Sequence, residues 1–386
     1  MKAWVLHDTD DIRYEDVDMP QLRDGEVLVK VMAAGICGSD IPRIYKTGAH
    51  NMPLIPGHEF AGRVIAVDNG SNSDYCNSAG DDAGTWLNKR VGIFPLIPCR
   101  QCVACRKEMY EMCRNYNYLG SRCNGGFAEY VAVPAANLIK LPDNVSYQDA
   151  AMLEPSAVAC HAIRRVLGSS NAEAPDNAGN GMQAHTNMQR HNLNIAVCGL
   201  GTIGMLIAML LKSCGYDNIF VIGNKSSQKA MTANLGISEE NFYDIREEIS
   251  RGCDAAEWLM EKTDVNGVDV FFECVGKNET VNWAVNSAAC GGNICFVGNP
   301  YSDMNFDKQT YWKILRNQLH VTGTWNSSFT GNEDDDWHYV LKSISSGSIM
   351  PSKLITHRFR INELESGLRI MRDKSEDYIK IMSVMN

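Results

Sequence analysis

The sequence predicts a mixed fold in which a β-rich domain precedes an α/β domain built on a doubly wound parallel sheet. Its 386 residues are enough for two domains with separate hydrophobic cores. Short segments rich in β-branched residues, broken by Gly and Pro, fill residues 1–155, whereas helical and extended segments alternate from residue 156 onward. Repeated β-α units of this length imply a parallel sheet that is covered on both faces.

The first region is predicted to form short strands that end at turn signals. These strands are Lys2–Leu6, Glu26–Ala33, Ala61–Val67 and Phe127–Val133. The polar stretch Asp68–Thr85 is rich in Gly, Asn and Ser and has no periodicity, so we expect it to be a surface loop insertion.

The second region contains the β-α repeats. Its predicted strands and helices are Asn194–Cys198, Thr202–Cys214, Asn218–Ile222, Ser226–Leu235, Val268–Glu273 and Asn293–Val297. The polar stretch 168–192 is a second predicted insertion, and its His185 and His191 are expected to be ordinary loop residues because neither has a partner ligand at fixed spacing. After Leu319–Trp325 a helix is predicted near Asp334–Ser345, where the acidic run Glu333–Asp336 favours the helix N-terminus.

Composition and charge exclude several classes of protein. Apolar residues make up 45% and charged residues 21%, as in ordinary soluble globular proteins. No apolar run approaches the ~20 residues of a membrane span, and the start of the chain lacks the apolar core of a signal peptide. A net charge of −10 argues against nucleic acid as a partner, because phosphate binding needs a basic face. The cysteines scattered outside the cluster described next are typical of a reduced, cytoplasmic protein.

Four cysteines, Cys99, Cys102, Cys105 and Cys113, have the spacing C-x2-C-x2-C-x7-C. Four thiolates at this spacing wrap one tetrahedral Zn²⁺ at about 2.3 Å each and leave no coordination position for water. Such a closed site folds a loop and performs no chemistry. A chance cluster or a pair of disulfides is the alternative, and the tight spacing favours the metal.

The segment NIAVCGLGTIG places Gly199, Gly201 and Gly204 directly after a predicted strand and at the start of a predicted helix. In a dinucleotide-binding loop the first glycine allows the tight turn, the second lets the pyrophosphate approach, and the third lets helix and strand pack closely. The phosphates then lie on the helix N-terminus, beside Thr202 and Ile203. A glycine-rich turn without a ligand is the alternative, and the β-α units that follow count against it.

The end of the next predicted strand bears on the choice of cofactor. NAD-binding loops place an acidic residue there for the ribose 2′-hydroxyl, whereas here Gly223 takes that position and Asn224, Lys225 and Ser226 follow. A carboxylate would repel a 2′-phosphate, and a lysine with neighbouring hydroxyl groups can bind one. We therefore expect NADP rather than NAD. The alternative is a solvated Lys225 in an enzyme that uses NAD or accepts both cofactors.

Three separate segments offer ligands for a second metal. Cys37 lies in GICGSD, His58 in PGHE and Glu154 in MLEP. A cysteine, a histidine and a carboxylate form a typical catalytic zinc set, which leaves one position for a substrate. Taken singly, each residue has an ordinary explanation, as a core cysteine, a turn histidine and a helix-start acid. Their presence beside the cysteine cluster and the glycine loop favours two zinc ions per chain.

Together these motifs resemble the zinc-dependent medium-chain dehydrogenase/reductase superfamily over essentially the whole chain. The matching segments are GICGSD, IPGHEFAG, the cysteine cluster, GGFAEY, LEP and GLGTIG. The resemblance implies a GroES-like catalytic domain over residues 1–155 with a structural zinc lobe at 99–113, a Rossmann domain over 156–325, and a C-terminal segment, 326–386, that returns to the catalytic domain. It also implies hydride transfer between an alcohol and a nicotinamide cofactor.

The resemblance implies a catalytic zinc on Cys37, His58 and Glu154, with Glu59 able to join or displace the fourth ligand. The glutamate after His58, in place of a second cysteine, is typical of the polyol dehydrogenase branch. In that branch the zinc set binds a small-molecule alcohol.

The resemblance also implies a proton relay that begins at Ser39, which accepts a hydrogen bond from the substrate hydroxyl and passes the proton toward the cofactor ribose. Many members carry a histidine five residues after the zinc-binding cysteine. Here that position is Pro42, so the outer end of the relay departs from the family pattern.

Three segments narrow the resemblance to polyol-phosphate dehydrogenases, namely Cys37–His50, Gly120–Tyr130 and Lys313–Trp325. Arg43, Lys46 and Arg122 are the cations expected to pair with a substrate phosphate, and an ordinary surface role is the alternative for each. The leading alternative substrate is an unphosphorylated polyol, diol or other secondary alcohol. A zinc-binding regulatory protein without catalysis is disfavoured by the net charge and by the glycine loop.

The family usually forms homodimers or homotetramers through the last strand of the Rossmann sheet. That strand is predicted to be Asn293–Val297. The same apolar strand would suit the buried core of a monomer, so the sequence leaves the number of subunits open.

Overall fold

The computed structural model describes residues 1–68, 83–168 and 192–385. It contains two compact units, one formed by Met1–Ala157 together with Ser327–Asn386 and the other by Val158–Asn326. Most of the two predicted insertions, with His185 and His191, lies outside the described residues.

The chain alternates short strands and helices. In chain order the strands are β1 (Lys2–Asp8), β2 (Asp11–Asp16), β3 (Glu26–Ile36), β4 (Glu59–Val67), β5 (Arg90–Ile93), β6 (Leu96–Ile97), β7 (Asn117–Tyr118), β8 (Tyr130–Pro134), β9 (Leu138–Lys140), β10 (Ile195–Cys198), β11 (Ile219–Gly223), β12 (Phe242–Asp244), β13 (Val268–Glu273), β14 (Ala288–Phe296), β15 (His320–Gly323), β16 (Ile355–Phe359) and β17 (Lys380–Val384). The α-helices longer than one turn are α1 (Tyr147–Ala151), α2 (Leu153–Leu167), α3 (Thr202–Ser213), α4 (Ser226–Asn234), α5 (Ile245–Ser250), α6 (Ala255–Lys262), α7 (Asn278–Ser287), α8 (Lys308–Arg316), α9 (Asp336–Ser345) and α10 (Leu364–Asp373). Among the described residues, none of these helices combines the length and apolar character that a bilayer crossing requires.

The first unit is built on a seven-stranded sheet with the strand order β16-β17-β3-β4-β5-β9, to which β8 adds by pairing with β3. The long strand β3 lies at its centre and pairs antiparallel with β4, β8 and β17. Alternate side chains such as Val29, Val31 and Phe60 are buried in the core of this unit, as expected for a sheet with one packed face. The C-terminal strand β17 therefore completes the sheet that begins near the N-terminus.

The second unit is a six-stranded parallel sheet with the order β12-β11-β10-β13-β14-β15. Numbered from β10, this order is 3-2-1-4-5-6, the arrangement of a doubly wound dinucleotide-binding sheet. Every residue of β10 and β11 is buried, because helices cover both faces of a parallel sheet. The predicted fold class, a β-rich domain with a doubly wound α/β domain, is confirmed.

The prediction that Asn293–Val297 forms the last strand of this sheet is wrong. These residues belong largely to β14, which lies between β13 and β15, with Asn293 opposite His320. Helix α8 returns the chain so that β15 pairs alongside β14 and becomes the edge of the sheet. The edge strand lies within Leu319–Trp325, a segment to which the sequence analysis assigned no strand.

The predicted strand Phe127–Val133 begins later than expected, since the first three residues precede β8. Phe127 instead packs under a turn, where a Cβ on Gly57 would lie 2.4 Å from its ring. Its carbonyl accepts a hydrogen bond from the Trp4 amide at 2.9 Å. Packing against this glycine turn, together with a single bridge to β1, takes the place of regular strand pairing here.

Candidate active site

Cys37, His58 and Glu59 are brought together at one end of the paired strands β3 and β4. Cys37 directly follows β3, while His58 precedes β4 and Glu59 is its first residue. Gly35 stands opposite Glu59 in the register, so the two strand ends meet. The ligand atoms of Cys37, His58 and Glu59 lie within 4.8 Å of one another, and both His58 and Glu59 are buried. This set of sulfur, nitrogen and oxygen donors fits a divalent metal such as Zn²⁺.

Glu154 lies beside this cluster rather than within it. It is the second residue of α2, and its Oε1 accepts a hydrogen bond of 3.2 Å from the Tyr118 hydroxyl. Burial raises the pKa of Glu154 to about 7, and the neighbouring Glu59 adds to the rise, against the opposing charges of His58 and Lys380. Tyr118 also packs edge-on to His58, with ring centroids 5.8 Å apart. Tyr118 is a residue of the site that the sequence analysis missed.

Asp40 is a second missed residue, and it is fully buried. Its Oδ2 accepts the Cys37 amide at 2.9 Å, and its Oδ1 lies 2.6 Å from an Arg43 nitrogen and 3.4 Å from His58 Nδ1. Burial alone would raise the pKa of Asp40, but the charges and hydrogen bonds of these partners outweigh it and lower that pKa. A carboxylate facing a histidine in this way orients the imidazole and makes it a stronger ligand. The available signal was an acid three residues after the cysteine predicted to bind a metal.

Lys380 is the third missed residue. It lies in β17, is 1% exposed, and its Nζ pairs with Oε2 of Glu59. The available signal was a lysine between two isoleucines in an apolar strand. The pairing itself joins residues that are 321 positions apart, so only the folded sheet brings them together.

Ser39 lies in the turn after Cys37, and its hydroxyl is 3.3 Å from the Cys37 sulfur. This position is next to the metal cluster, at the entry to the helical turn Asp40–Pro42. A hydroxyl there can exchange a hydrogen bond with a group that shares the metal with Cys37.

The three cations predicted to bind a phosphate have different surroundings. Arg43 is engaged by Asp40. Lys46 is exposed on the π-helix Arg43–Thr47. Arg122 is half-buried, its guanidinium lies 4.4 Å from the centre of the Tyr116 ring, and its Nε has no hydrogen-bond partner among the described residues. Tyr116 in turn packs edge-on to Tyr118, which links Arg122 to the metal cluster through two aromatic rings.

The four clustered cysteines form a compact set of sulfurs in the first unit. Three of their Sγ–Sγ distances are 3.9 Å for Cys99–Cys105, 3.6 Å for Cys102–Cys105 and 3.9 Å for Cys102–Cys113. A tetrahedron of Zn–S bonds of about 2.3 Å has edges of about 3.8 Å, so these separations fit one Zn²⁺. The amides of Cys105 and Arg114 donate to Cys102 and lower the pKa of its thiol to about 6, which favours the thiolate that a metal needs.

The glycine loop in the second unit has the geometry that its spacing predicts. Gly199 has φ +94°, and a Cβ there would lie 2.5 Å from Val275. Gly201 caps α3 and has open space where a Cβ would stand, while a Cβ on Gly204 would lie 2.0 Å from the Gly199 carbonyl oxygen. Gly199 allows the tight turn, Gly201 leaves space for a ligand to approach, and Gly204 allows close helix packing. These are the three roles of glycine in a dinucleotide-binding loop. Thr202 and Ile203 begin the helix whose N-terminus faces that approach.

Gly223 ends β11, and the loop after it contains Asn224 and Lys225 before α4 begins at Ser226. Gln228 in the first turn of α4 is buried, and the sequence analysis missed its role. Its Oε1 accepts the Asn224 amide at 2.9 Å and its Nε2 donates to the Leu200 carbonyl at 2.9 Å. A neutral amide therefore shapes this loop and ties it to the glycine turn.

Two family descriptions match the chain, the alcohol dehydrogenase GroES-like domain over residues 23–143 and the zinc-binding dehydrogenase over residues 202–346. Galactitol 1-phosphate 5-dehydrogenase of Escherichia coli K12 is 29% identical over 371 residues, which cover 96% of this chain and 95% of that protein. L-idonate 5-dehydrogenase of Vitis vinifera is 30% identical over 373 residues, which cover 94% of this chain and 88% of that protein.

The solved structures agree with these sequence matches. The crystal structure of galactitol-1-phosphate dehydrogenase from Escherichia coli matches with a TM-score of 0.81 and 27% identity, over 100% of both chains. The expected GroES-like and Rossmann-type domains are thereby confirmed. The chain belongs to the zinc-dependent alcohol and polyol dehydrogenases of the medium-chain dehydrogenase/reductase superfamily and is an oxidoreductase.

Proposed function

We propose that this protein oxidises a secondary alcohol of a polyol phosphate, with NADP⁺ as hydride acceptor and one catalytic Zn²⁺. The observation that carries the proposal is the buried cluster of Cys37, His58 and Glu59, whose ligand atoms lie within 4.8 Å of one another. A site with three protein ligands leaves a coordination position for the substrate oxygen.

The residues present fit the metal. Cys37 and Glu59 supply negative charge, and His58 Nδ1 lies 3.4 Å from Asp40. Glu154, which accepts a hydrogen bond from Tyr118, is a further carboxylate beside the cluster. A Zn²⁺ held by these residues would act as a Lewis acid, lowering the pKa of the alcohol hydroxyl and, in the reverse direction, polarising a ketone. The four clustered cysteines fit a second Zn²⁺ that stabilises the lobe at 99–113.

The chain's own residues then handle the proton and the cofactor. Ser39, whose hydroxyl lies 3.3 Å from the Cys37 sulfur, accepts the hydrogen bond of the substrate hydroxyl and, as it takes that proton, releases its own hydroxyl proton toward solvent. The exposed Pro42 cannot relay that proton, so it leaves through water. Gly199, Gly201 and the N-terminus of α3 bind the cofactor pyrophosphate.

The loop after β11 supports NADP over NAD. The stretch Gly223–Lys229 contains no acidic residue, and the carboxamide of Gln228 stands within it. Without a carboxylate to repel it, a 2′-phosphate can bind near Asn224, the lysine at the helix start and the Ser226 hydroxyl.

Arg122 supports an anionic substrate. Its guanidinium lies on Tyr116 and has no carboxylate partner in the described part of the chain, whereas Arg43 is paired with Asp40. A half-buried arginine that is linked to the metal cluster through two aromatic rings can bind a phosphate through two parallel hydrogen bonds. The similarity to galactitol 1-phosphate 5-dehydrogenase points to the same chemical class.

Initial rates with NADP⁺ and NAD⁺ test the proposal. The substrates are galactitol 1-phosphate and ribitol 5-phosphate, each beside its unphosphorylated parent. Turnover of the phosphates with NADP⁺ is the expected result. Equal or faster turnover of the free polyols would replace the phosphate assignment with a general polyol dehydrogenase, and a preference for NAD⁺ would reject the NADP assignment.

A second candidate is a dehydrogenase of a sugar acid. The similarity to L-idonate 5-dehydrogenase favours it, because an idonate carboxylate would also bind an arginine such as Arg122. L-idonate therefore belongs in the same substrate series. A kcat/KM for L-idonate above that for both phosphates would support this candidate.

The exposed edge of the second unit supports association with a second copy of the chain. The edge strand β15 has an exposed valine, Val321, and the neighbouring α8 exposes Tyr311, Trp312 and Leu315. A homodimer or homotetramer would cover this apolar surface and satisfy the unpaired strand edge. The free cysteines of the described residues fit a cytoplasmic location.

A further inference from the structure

Lys380 and Glu59 form an ion pair inside the first unit. Each residue is 1% exposed, and the lysine belongs to the C-terminal strand β17 whereas the glutamate begins β4. A buried ion pair is a costly way to hold two strands together, because apolar residues of similar volume do this as well or better. The pair therefore calls for a role beyond the fold of the sheet.

Gly35 makes room for this pair. It stands opposite Glu59 on one side and Met382 on the other, at the middle of three adjacent strands. A Cβ on Gly35 would lie 2.3 Å from Glu59 Oε2 and 2.8 Å from Lys380 Cε. The lysine side chain thus crosses β3 over a position without a side chain and ends on one particular oxygen of Glu59.

The pairing gives the two carboxylate oxygens of Glu59 different partners. Oε2 is taken by the Lys380 ammonium, while Glu59 also belongs to the ligand cluster with Cys37 and His58. The other oxygen of Glu59, Oε1, is then the one left to bind the metal. A carboxylate that binds with one oxygen completes a set of three protein ligands and leaves a position open, whereas one that binds with both oxygens fills that position.

We propose that Lys380 is a positioning residue that restricts Glu59 to one metal-binding oxygen and so keeps a coordination position open for the substrate. The inference rests on the proposed ligand set of Cys37, His58 and Glu59. Lys380 acts only through Glu59. Its side chain can reach Glu59 because Gly35 has no side chain to block the way.

The test compares Lys380→Met with the wild type. Methionine keeps the volume and removes the charge, so Glu59 becomes free to bind the metal through both oxygens. We expect zinc content to stay at the wild-type value, the visible spectrum of the Co²⁺-substituted protein to change, and kcat/KM to fall about 10- to 100-fold. The spectrum and the zinc content report the coordination independently of activity.

Ser383→Ala is the matched control in the same strand. The Ser383 hydroxyl is buried without a hydrogen-bond partner among the described residues, so its removal should leave spectrum and rate unchanged. Gly35→Ala is the second variant, and it provides the test if the Lys380→Met protein does not fold. It keeps both charges and displaces the pair through its Cβ, and the same spectral change with zinc retained is expected.

Two results would overturn the proposal. One is a wild-type cobalt spectrum in a folded Lys380→Met or Gly35→Ala protein, which would show that the pair does not shape the coordination. The other is loss of zinc from both variants, which would make the pair a structural tie. A wild-type protein that holds no metal on Cys37, His58 and Glu59 would instead reject the proposed function.

Discussion

Asp40 is placed to govern the proposed metal site without being one of its ligands. It accepts the Cys37 amide, pairs with Arg43 and faces His58 Nδ1, so one buried carboxylate contacts two of the proposed ligands. Asp40→Asn keeps the shape but removes the charge, which leaves Arg43 unpaired and weakens His58 as a donor. We expect zinc affinity or kcat/KM to fall about 10- to 100-fold, measured by chelator competition and initial rates.

Asp16→Asn is the control for this change. Asp16 pairs with Lys2 at 2.6 Å, but 78% of its side chain is exposed, and an exposed pair of this kind contributes little. Unchanged zinc affinity and rate in Asp40→Asn would contradict the role assigned to Asp40.

Arg43 and Arg122 are two of the three predicted phosphate ligands, and their surroundings differ: Arg43 pairs with Asp40, whereas Arg122 lies on the Tyr116 ring. Arg122→Met should raise KM for a polyol phosphate at least about tenfold and leave the free polyol unaffected, because only the phosphate loses a charged partner. Arg43→Met should instead lower kcat/KM for both substrates alike, through Asp40. Steady-state kinetics on the paired substrates distinguish the two. A uniform effect in Arg122→Met would reject Arg122 as the phosphate ligand.

The residues that sequence reasoning could find are those whose partners are close along the chain or in fixed motifs. The cysteine cluster and the glycine loop each lie within a short segment, and each has the local geometry that its spacing implies. Lys380 and Tyr118 reach the cluster only through strand pairing and helix packing, which no spacing reports. Asp40 was visible in its motif, but its role depends on the position of His58 in the folded sheet.

At the scale of elements, the four sulfurs of the lobe at 99–113 form a candidate zinc site, and no residue of the lobe belongs to the hydrophobic core cluster of the first unit. Cys105→Ser should remove one zinc per chain and lower the melting temperature, because a closed zinc site contributes folding energy to the segment that it holds. Metal analysis and thermal unfolding measure both effects. Cys290→Ser, at an exposed cysteine of the second unit, is the control and should change neither. Full zinc content in Cys105→Ser would contradict a structural metal here.

The N-terminus of α9 depends on one acid of the run Glu333–Asp336. Asp335 caps the helix: its Oδ1 accepts the His338 amide at 2.8 Å, and its Oδ2 accepts the amides of Thr330 and Gly331. Asp335→Ala leaves three amides, whose hydrogen bonds to Asp335 are partly buried, without their acceptor, so we expect a loss of about 2 kcal/mol in the free energy of unfolding, measured in urea.

Glu333→Ala tests the alternative that any acid of the run stabilises α9 through the helix dipole. Glu333 is exposed, and its removal should cost less than about 0.5 kcal/mol. Equal losses in the two variants would contradict a specific cap. The sequence predicted the helix and its acidic start, but the choice of Asp335 depends on where the loop amides of Thr330 and Gly331 lie.

At the scale of the whole molecule, the last strand of the parallel sheet is β15 rather than Asn293–Val297, and this changes where association is expected. Asn293–Val297 is apolar because it is an internal strand, with β13 and β15 on its two sides. An edge strand has fewer buried positions, so fewer of its residues need to be apolar. The sequence of β15 is His-Val-Thr-Gly, in which the hydrophobic periodicity is too weak to predict a strand. Most of the large exposed apolar residues of the second unit lie instead in the stretch 301–325, which contains this edge strand.

Association is therefore predicted through β15 and α8. Among the described residues of the second unit, the large apolar side chains that are exposed lie between Tyr301 and Trp325, with Val265 as the exception. A surface of this kind beside an open strand edge is a site for pairing with another copy. Val321→Lys places a charge on the edge strand, so light scattering should show a multiple of the chain mass for the wild type and a smaller assembly for the variant. Val265→Lys, an equal change at an exposed valine away from that edge, should leave the mass unchanged, and a wild-type mass in Val321→Lys would exclude β15 as the contact.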